Sequence, residues 1–166
     1  MYIVLQYLQA IIEILGLFSF SLALSHVNIK WKKCIIPAMV LAALVLIIRN
    51  LPVVFGMHIL VIVIMMFIFI TKMTQAPKHM VFLSIFVSIF FLAILEFCVN
   101  QLFIGIGLMP VNDAPEKGNM WLLMGYTQAI LMNILAILIQ LLWKPRYSWK
   151  SEAGSHEKND IISPKS

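Results

Sequence analysis

The 166-residue chain is 62% hydrophobic and only 11% charged, whereas soluble globular domains are about 45–50% apolar and about 25% charged. This composition excludes a single soluble core and indicates that lipid surrounds most of the chain. The formal net charge of +5 comes largely from Lys and Arg at the ends of apolar runs, which indicates membrane topology and not nucleic-acid binding. Because lipid offers backbone groups no hydrogen-bond partners, the sequence predicts an all-α, polytopic membrane helix bundle.

Five continuous apolar runs predict five transmembrane helices, at residues 2–24, 34–49, 53–71, 80–109 and 121–143. No Lys or Arg precedes the first run and no small-residue cleavage site is visible, so we expect a retained helix and no signal peptide. Polar and small residues recur on this helix at offsets that place them on one face, which should point at other helices. These residues are Gln6, Gln9, Glu13, Gly16 and Ser19.

The second and third runs are separated by the segment Arg49–His58, where a cation, a Pro, a Gly and a His interrupt a long apolar tract. This pattern predicts a tight turn near one membrane interface. The polar residues Arg49, Asn50 and His58 could receive a carboxylate or a peptide. The alternative is structural: Arg49 extends to lipid headgroups, and the following residues only end the helix.

The fourth run carries Glu96 near its middle and Asn100 one turn further on. At 30 residues this run exceeds the about 20 that span a bilayer, so we expect it to tilt or to rise beyond the membrane. The fifth run predicts a second polar, small-residue face suited to close helix packing. That face consists of Tyr126, Ala129, Asn133, Ala136 and Gln140.

Glu13 and Glu96 are the most informative residues, because an ionisable group near mid-membrane costs several kcal/mol unless it is paired. Three arrangements are open: each carboxyl is protonated and hydrogen-bonded, the two share a proton, or one pairs with Arg49. We favour hydrogen-bonded carboxyls that hold helices together. A ligand or proton site is the alternative.

Other chemistry has weak support in the sequence. Cys34 and Cys98 should lie at different depths, which argues against a disulfide, and their spacing is not that of a metal site. We find no phosphate-binding loop, nucleophile elbow or metal-binding helix motif. The sequence therefore predicts no catalytic, cofactor-binding or metal-binding residues. Internal repeats typical of many transporters are absent as well.

The distribution of cations predicts the orientation of the chain. Residues 25–33, 72–79 and 144–150 contain three, two and three Lys or Arg, against Arg49 and Lys117 on the opposite side. This bias of eight to two places the N-terminus outside and the C-terminus in the cytoplasm, as in a bacterial plasma membrane. Residues 1–145 then form the transmembrane domain. Residues 146–166 form a polar cytoplasmic tail, with disorder expected beyond about Trp149.

Three short motifs resemble the N-terminal membrane sensor region of AgrC-like (GHKL-type) histidine kinases of Firmicutes. They are Ile12-Glu13-Ile14-Leu15, then Arg49-Asn50-Leu51-Pro52 followed by Phe55-Gly56-Met57-His58, and Leu95-Glu96-Phe97. The resemblance covers residues 1–145. It implies a multi-helix receptor for an extracellular or membrane-borne signal, often a peptide, and usually a dimer.

The chain departs from this family because only 23 residues follow Trp143, so we expect no kinase domain. We assign no phospho-acceptor role to His156, which lies in the polar tail. The sequence thus predicts a non-catalytic membrane protein with a sensor-like or regulatory role, without a cofactor. Its expected partners are the lipid bilayer and either a second copy, a separate kinase or another membrane protein. The alternative is a small membrane peptide-processing enzyme or a transporter subunit.

Overall fold

The computed structural model describes the backbone of residues 2–50, 57–107 and 119–150, and the side chains of residues 4–48, 59–107 and 122–150. The described residues form five α-helices and no strand, which confirms the all-α prediction. The helices are α1 (Tyr2–Leu24), α2 (Trp31–Asn50), α3 (Met57–Met73), α4 (Lys78–Gly105) and α5 (Asn119–Leu142).

Four of these helices are long and apolar enough to cross a membrane: Val4–Leu24, Trp31–Ile48, Lys78–Gly105 and Leu122–Leu142. Helix α3 has 17 residues, and its apolar part, Ile59–Met73, is shorter than the other four. By length and composition, the described residues therefore supply four candidate membrane spans, one fewer than the five predicted. Residues 53–56 of the predicted third span lie outside the described part of the chain.

Several helix boundaries differ from the predicted ones. Helix α2 begins three residues earlier than expected, so Pro37 lies in its second turn and not in its first. Helix α4 ends at Gly105 and not at residue 109. The reason is local: Gly107 adopts φ 77°, and its N–H donates to the Ile104 oxygen in a tighter turn that ends the helix.

Helix α1 lies at the centre of the bundle and packs against α2, α4 and α5. The buried share of its candidate membrane span is 56%, against 22% for α4 and 28% for α5. The closest approach is to α5, where Gly16 leaves room for the Asn133 side chain. Asn133 Nδ2 donates to the backbone oxygen of Ile12 over 3.0 Å, so the small-residue face predicted on α5 does hold these two helices together.

The two connecting loops that carry basic residues meet residues 143–150 at one end of the bundle. We call this the basic end, formed by residues 25–33, 72–79 and 143–150. The N–H groups of Arg146 and Tyr147 both donate to the His26 oxygen, over 2.8 and 3.0 Å. Trp149 is only 2% exposed, and its Nε1 donates to the Asn28 oxygen over 2.9 Å. Residues 146–150 of the predicted tail therefore belong to the fold, and residues 151–166 lie outside the described part.

Candidate functional site

A cavity of about 260 Å³ lies inside the bundle, and all five helices contribute to its wall. Four polar side chains line it: Gln9 and Glu13 from α1, Glu96 from α4 and Gln128 from α5. The rest of the wall is largely apolar. Its residues include Ile14, Leu17, Val45, Ile62, Ile89 and Leu92.

The polar groups of the cavity lie toward the end of the bundle opposite the basic end. Helix α1 reaches the basic end at its last residue, whereas Gln9 and Glu13 lie in its first half. Helix α4 starts at the basic end, and Glu96 lies nine residues before its last residue, about 14 Å along the helix axis. Leu17 and Ile89 lie closer to the basic end. The cavity is therefore amphipathic along the bundle axis, with a polar part away from the basic end and an apolar part near mid-bundle.

The two carboxyl residues singled out in the sequence line this same cavity. Glu13 is partly buried, and Glu96 is exposed as well as lining the wall. No hydrogen bond or ion pair joins Glu96 to any residue that the structure describes. Because the side chains of Arg49, Asn50 and His58 lie outside the described set, both the role of Glu96 in holding helices together and the alternative, a ligand or proton site, stay predictions.

Gln9 and Gln128 complete the polar part of the cavity. Gln9 is only 6% exposed, and its Oε1 accepts no hydrogen bond from the described residues. Its carboxamide lies against Gly125, where a Cβ atom would overlap it. The sequence placed Gln9 on the polar face of α1 but did not single it out as a site residue. The sequence does not indicate Gln128, because the polar residues spaced by seven on α5 lie on a different face of the helix.

That other face of α5 packs against α1 and the loop that follows it. Tyr126 Oη donates to the Leu5 oxygen over 2.9 Å, and Asn133 bonds Ile12 as described above. Gln140 Nε2 donates to Asn28 Oδ1 in the loop at the basic end. Hydrogen bonding to partners on α1 and its loop explains this periodic polar face.

The remaining predicted site residues are only partly described. Arg49 and Asn50 are the last residues of α2, and His58 is the second residue of α3; their side chains lie outside the described set. Residues 51–56 and the acidic loop with Asp113 and Glu116 also lie outside it. Asn100 is half-buried on α4 and does not line the cavity.

The cavity opens sideways, between α3 and α4. Ile59 is 43% exposed and Ala93 and Glu96 are also exposed, although all three line the cavity. The outer surfaces of both helices are apolar beside this opening, as at Ile64 and Phe90. Such an apolar surface is of the kind that lipid tails cover in a membrane bundle.

The described residues contain no group of three or more His, Cys, Asp or Glu placed to hold a metal ion. Cys34 is buried near the basic end, whereas Cys98 is exposed on α4 toward the other end. Comparisons of the chain with models of known protein families, with curated proteins and with solved structures find no match. The class that fold and site define is therefore an all-helical bundle with four membrane-length helices around an amphipathic cavity.

Proposed function

We propose that this chain is a multi-pass protein of the bacterial plasma membrane with a non-catalytic, sensor-like or regulatory role in signalling. The observation that carries the proposal is the amphipathic cavity that Glu13, Glu96, Gln9 and Gln128 line. Polar groups inside a membrane bundle are costly and commonly mark a functional site. A cavity that opens toward lipid suits a membrane-borne signal, which is also what the resemblance to AgrC-like sensor regions implies.

A receptor is favoured over a transporter subunit by the packing between the cavity and the basic end. Phe18, Phe20 and Leu22 are fully buried there on α1. Transport would require a path for substrate that opens alternately to the two sides of the membrane and passes these side chains. Their packing contacts would then have to break and be replaced by contacts with water or substrate. Binding of a signal on one side of the bundle requires no such path.

A peptide-processing enzyme is disfavoured by the positions of the nucleophilic side chains. Neither Cys34 nor Cys98 lines the cavity. Ser21 Oγ donates to Ser88 Oγ over 2.8 Å in the buried α1–α4 contact, and Ser88 Oγ donates to the Ser84 oxygen over 2.6 Å. Hydroxyls engaged in this way stabilise helix packing, and among the described residues neither donates to an imidazole base.

For the topology we propose five membrane spans, with the N-terminus outside and the C-terminus in the cytoplasm. Each of the five helices begins or ends at the basic end, where the eight cations counted in the sequence lie. This is the distribution expected of a cytoplasmic face. Helix α3, at 17 residues, is about 25 Å long and reaches the lower limit for a span. The polar part of the cavity then lies in the outer half of the membrane.

Reporter fusions test this topology. Fusions after Gln75 and after Lys150 should report the cytoplasm, and a fusion at Gly118 should report the outside. The reason is that α3 must cross the membrane for α4 to begin at the cytoplasmic face. Alkaline phosphatase and green fluorescent protein fusions give the two opposite readouts. A cytoplasmic signal from Gly118 would show that α3 does not span and would overturn the five-span arrangement.

The sensor role is tested by Glu96→Gln, which removes the charge and keeps the size of the side chain. We expect normal accumulation in the membrane, measured by immunoblot, and a transcript profile that matches a deletion strain. Gln101→Ala is the matched control, because Gln101 is exposed on the same helix and does not line the cavity; it should leave the profile unchanged. Normal accumulation with an unchanged profile in Glu96→Gln would contradict the proposal. Loss of accumulation would instead support a structural role for Glu96.

A further inference from the structure

We propose that the C-terminal turn of α5, with the residues that follow it, binds an anionic phospholipid of the cytoplasmic leaflet in preference to a zwitterionic one. The inference rests on the proposed membrane placement of the bundle and not on the sensor role. The surface that carries it, which we call the α5 lipid surface, consists of Leu141, Leu142, Trp143, Lys144 and Arg146. It lies at the basic end, where α5 ends at Leu142.

The order of the side chains on the α5 lipid surface matches the order of the parts of a phospholipid. Leu141 and Leu142 are 77% and 78% exposed, more than any other large apolar side chain that the structure describes. Trp143 is also exposed, and an indole ring suits the boundary between acyl chains and headgroups. Lys144 and Arg146 follow, and both are exposed, so their cations extend to the headgroup layer. A lipid whose acyl chains cover the leucines thus places its phosphate beside two cations.

Contacts with the first connecting loop hold the α5 lipid surface in place. The Trp143 ring stacks on the His26 ring, with the centroids 5.0 Å apart and an angle of 18° between the planes. The Arg146 N–H donates to the His26 oxygen over 2.8 Å. The buried Trp149 anchors the residues that follow. Because this backbone is already ordered, binding of a headgroup costs little further conformational entropy.

The charge of the basic end selects an anionic headgroup. Neither Lys144 nor Arg146 has a side-chain hydrogen bond or ion pair with any residue that the structure describes. Residues 25–33 and 72–79 add five Lys and contain no Asp or Glu. The two acidic side chains in the described part of the chain, Glu13 and Glu96, lie toward the other end of the bundle. An anionic headgroup is attracted to such a surface, whereas the choline cation of a zwitterionic lipid offsets the attraction of its phosphate.

A phospholipid fits the α5 lipid surface better than an acidic protein segment does. An acidic segment would neutralise Lys144 and Arg146, but its charges would not suit the exposed Leu141 and Leu142 beside them. A lipid covers both parts at once, because its acyl chains contact the leucines while its phosphate accepts charge-assisted hydrogen bonds from the cations. The planar guanidinium of Arg146 is well suited to bind two phosphate oxygens together.

Quenching of tryptophan fluorescence by brominated lipids tests the preference. The reporter protein is the full-length chain with Trp31→Phe and Trp121→Phe, in which Trp143 is the exposed indole, since Trp149 is only 2% exposed. It is reconstituted in phosphatidylcholine vesicles that contain an equal small fraction of either brominated phosphatidylglycerol or brominated phosphatidylcholine. Quenching should show a preference of about fivefold or more for phosphatidylglycerol. The preference should weaken as NaCl screens the charges.

Variants of the reporter protein show whether the two cations cause the preference. Lys144→Gln with Arg146→Gln should lower it to about twofold or less, and an unchanged preference would overturn the inference. The matched control, Lys144→Arg with Arg146→Lys, keeps both charges and should retain the preference. Circular dichroism verifies that both variants fold. If the neutral variant failed to fold, the salt titration of the reporter protein would decide, because an equal preference in low and high NaCl would overturn the role of charge.

Failure of the lipid class is distinguishable from failure of the membrane placement. Equal quenching by the two brominated lipids would overturn the lipid class and leave the membrane placement intact, whereas no quenching by either would show that the placement itself is wrong. Sodium phosphate should weaken the preference no more than NaCl of equal ionic strength, and a larger effect would overturn the lipid in favour of free phosphate. A preference that appears only after Glu152→Gln, Glu157→Gln and Asp160→Asn would overturn it in favour of the chain's own acidic tail.

Discussion

Replacing Trp149 with Ala is expected to lower the free energy of unfolding by about 3–5 kcal/mol. Trp149 is among the largest fully buried side chains of the protein. Its Nε1 donates to the Asn28 oxygen over 2.9 Å, and Lys33 Nζ lies 5.4 Å from its ring centroid. Loss of the ring removes these contacts and detaches residues 146–150 from both basic loops. The change is measurable as a shift in detergent-induced or thermal unfolding of the purified protein.

The matched control for this substitution is Trp31→Ala. Trp31 is also at the basic end but is 37% exposed, so its removal should cost about 1 kcal/mol or less. Equal effects of the two substitutions would show that the C-terminal segment is not part of the folded core. A second readout is protease cleavage after Lys150 and Arg146, which should accelerate in Trp149→Ala and stay unchanged in Trp31→Ala.

The C-terminal segment, residues 146–150, also shows why the sequence predicts the helices but not how this segment packs against the loops between them. Apolar runs identify five helices because hydropathy is a local property of the chain. The attachment of residues 146–150 depends on one distant backbone position: His26 adopts φ 56°, a left-handed conformation that costs a non-glycine residue about 1–2 kcal/mol. Its oxygen then accepts both N–H groups of Arg146 and Tyr147. Neither segment has a periodic pattern that predicts a contact between residues 120 positions apart.

The residues of the cavity, like the fold, could be predicted from the sequence only in part. Glu13 and Glu96 stand out in the sequence because charged groups in apolar runs are rare and costly, and the structure brings them to one cavity. Gln128 does not stand out, since a single amide on an apolar helix is common. The unpaired Oε1 of Gln9 depends on the register of α1 against Gly125 of α5. Registers between helices follow from packing and cannot be obtained from composition.

Packing between α1 and α5 is the second feature with a large expected effect. Replacing Gly16 with Leu should lower the free energy of unfolding by about 1–3 kcal/mol or more. Even a Cβ at Gly16 would lie 2.8 Å from Asn133 Nδ2 and 3.3 Å from Met132 Cβ. A leucine would therefore force the helices apart and break the bond from Asn133 to the Ile12 oxygen. Small residues permit such close approach in membrane bundles, where van der Waals packing replaces the hydrophobic effect between helices.

The control for Gly16→Leu is Gly105→Leu at the end of α4. A Cβ there would meet nothing within 4 Å, so stability should stay the same or rise slightly as helix propensity improves. Detergent-induced unfolding followed by circular dichroism measures both variants under identical conditions. Adding Asn133→Ala to Gly16→Ala should recover part of the loss, because it removes the overlapping side chain. If Gly16→Leu and Gly105→Leu were equally stable, α1 and α5 would not be in the close contact that positions Gln9 and Gln128 at the cavity.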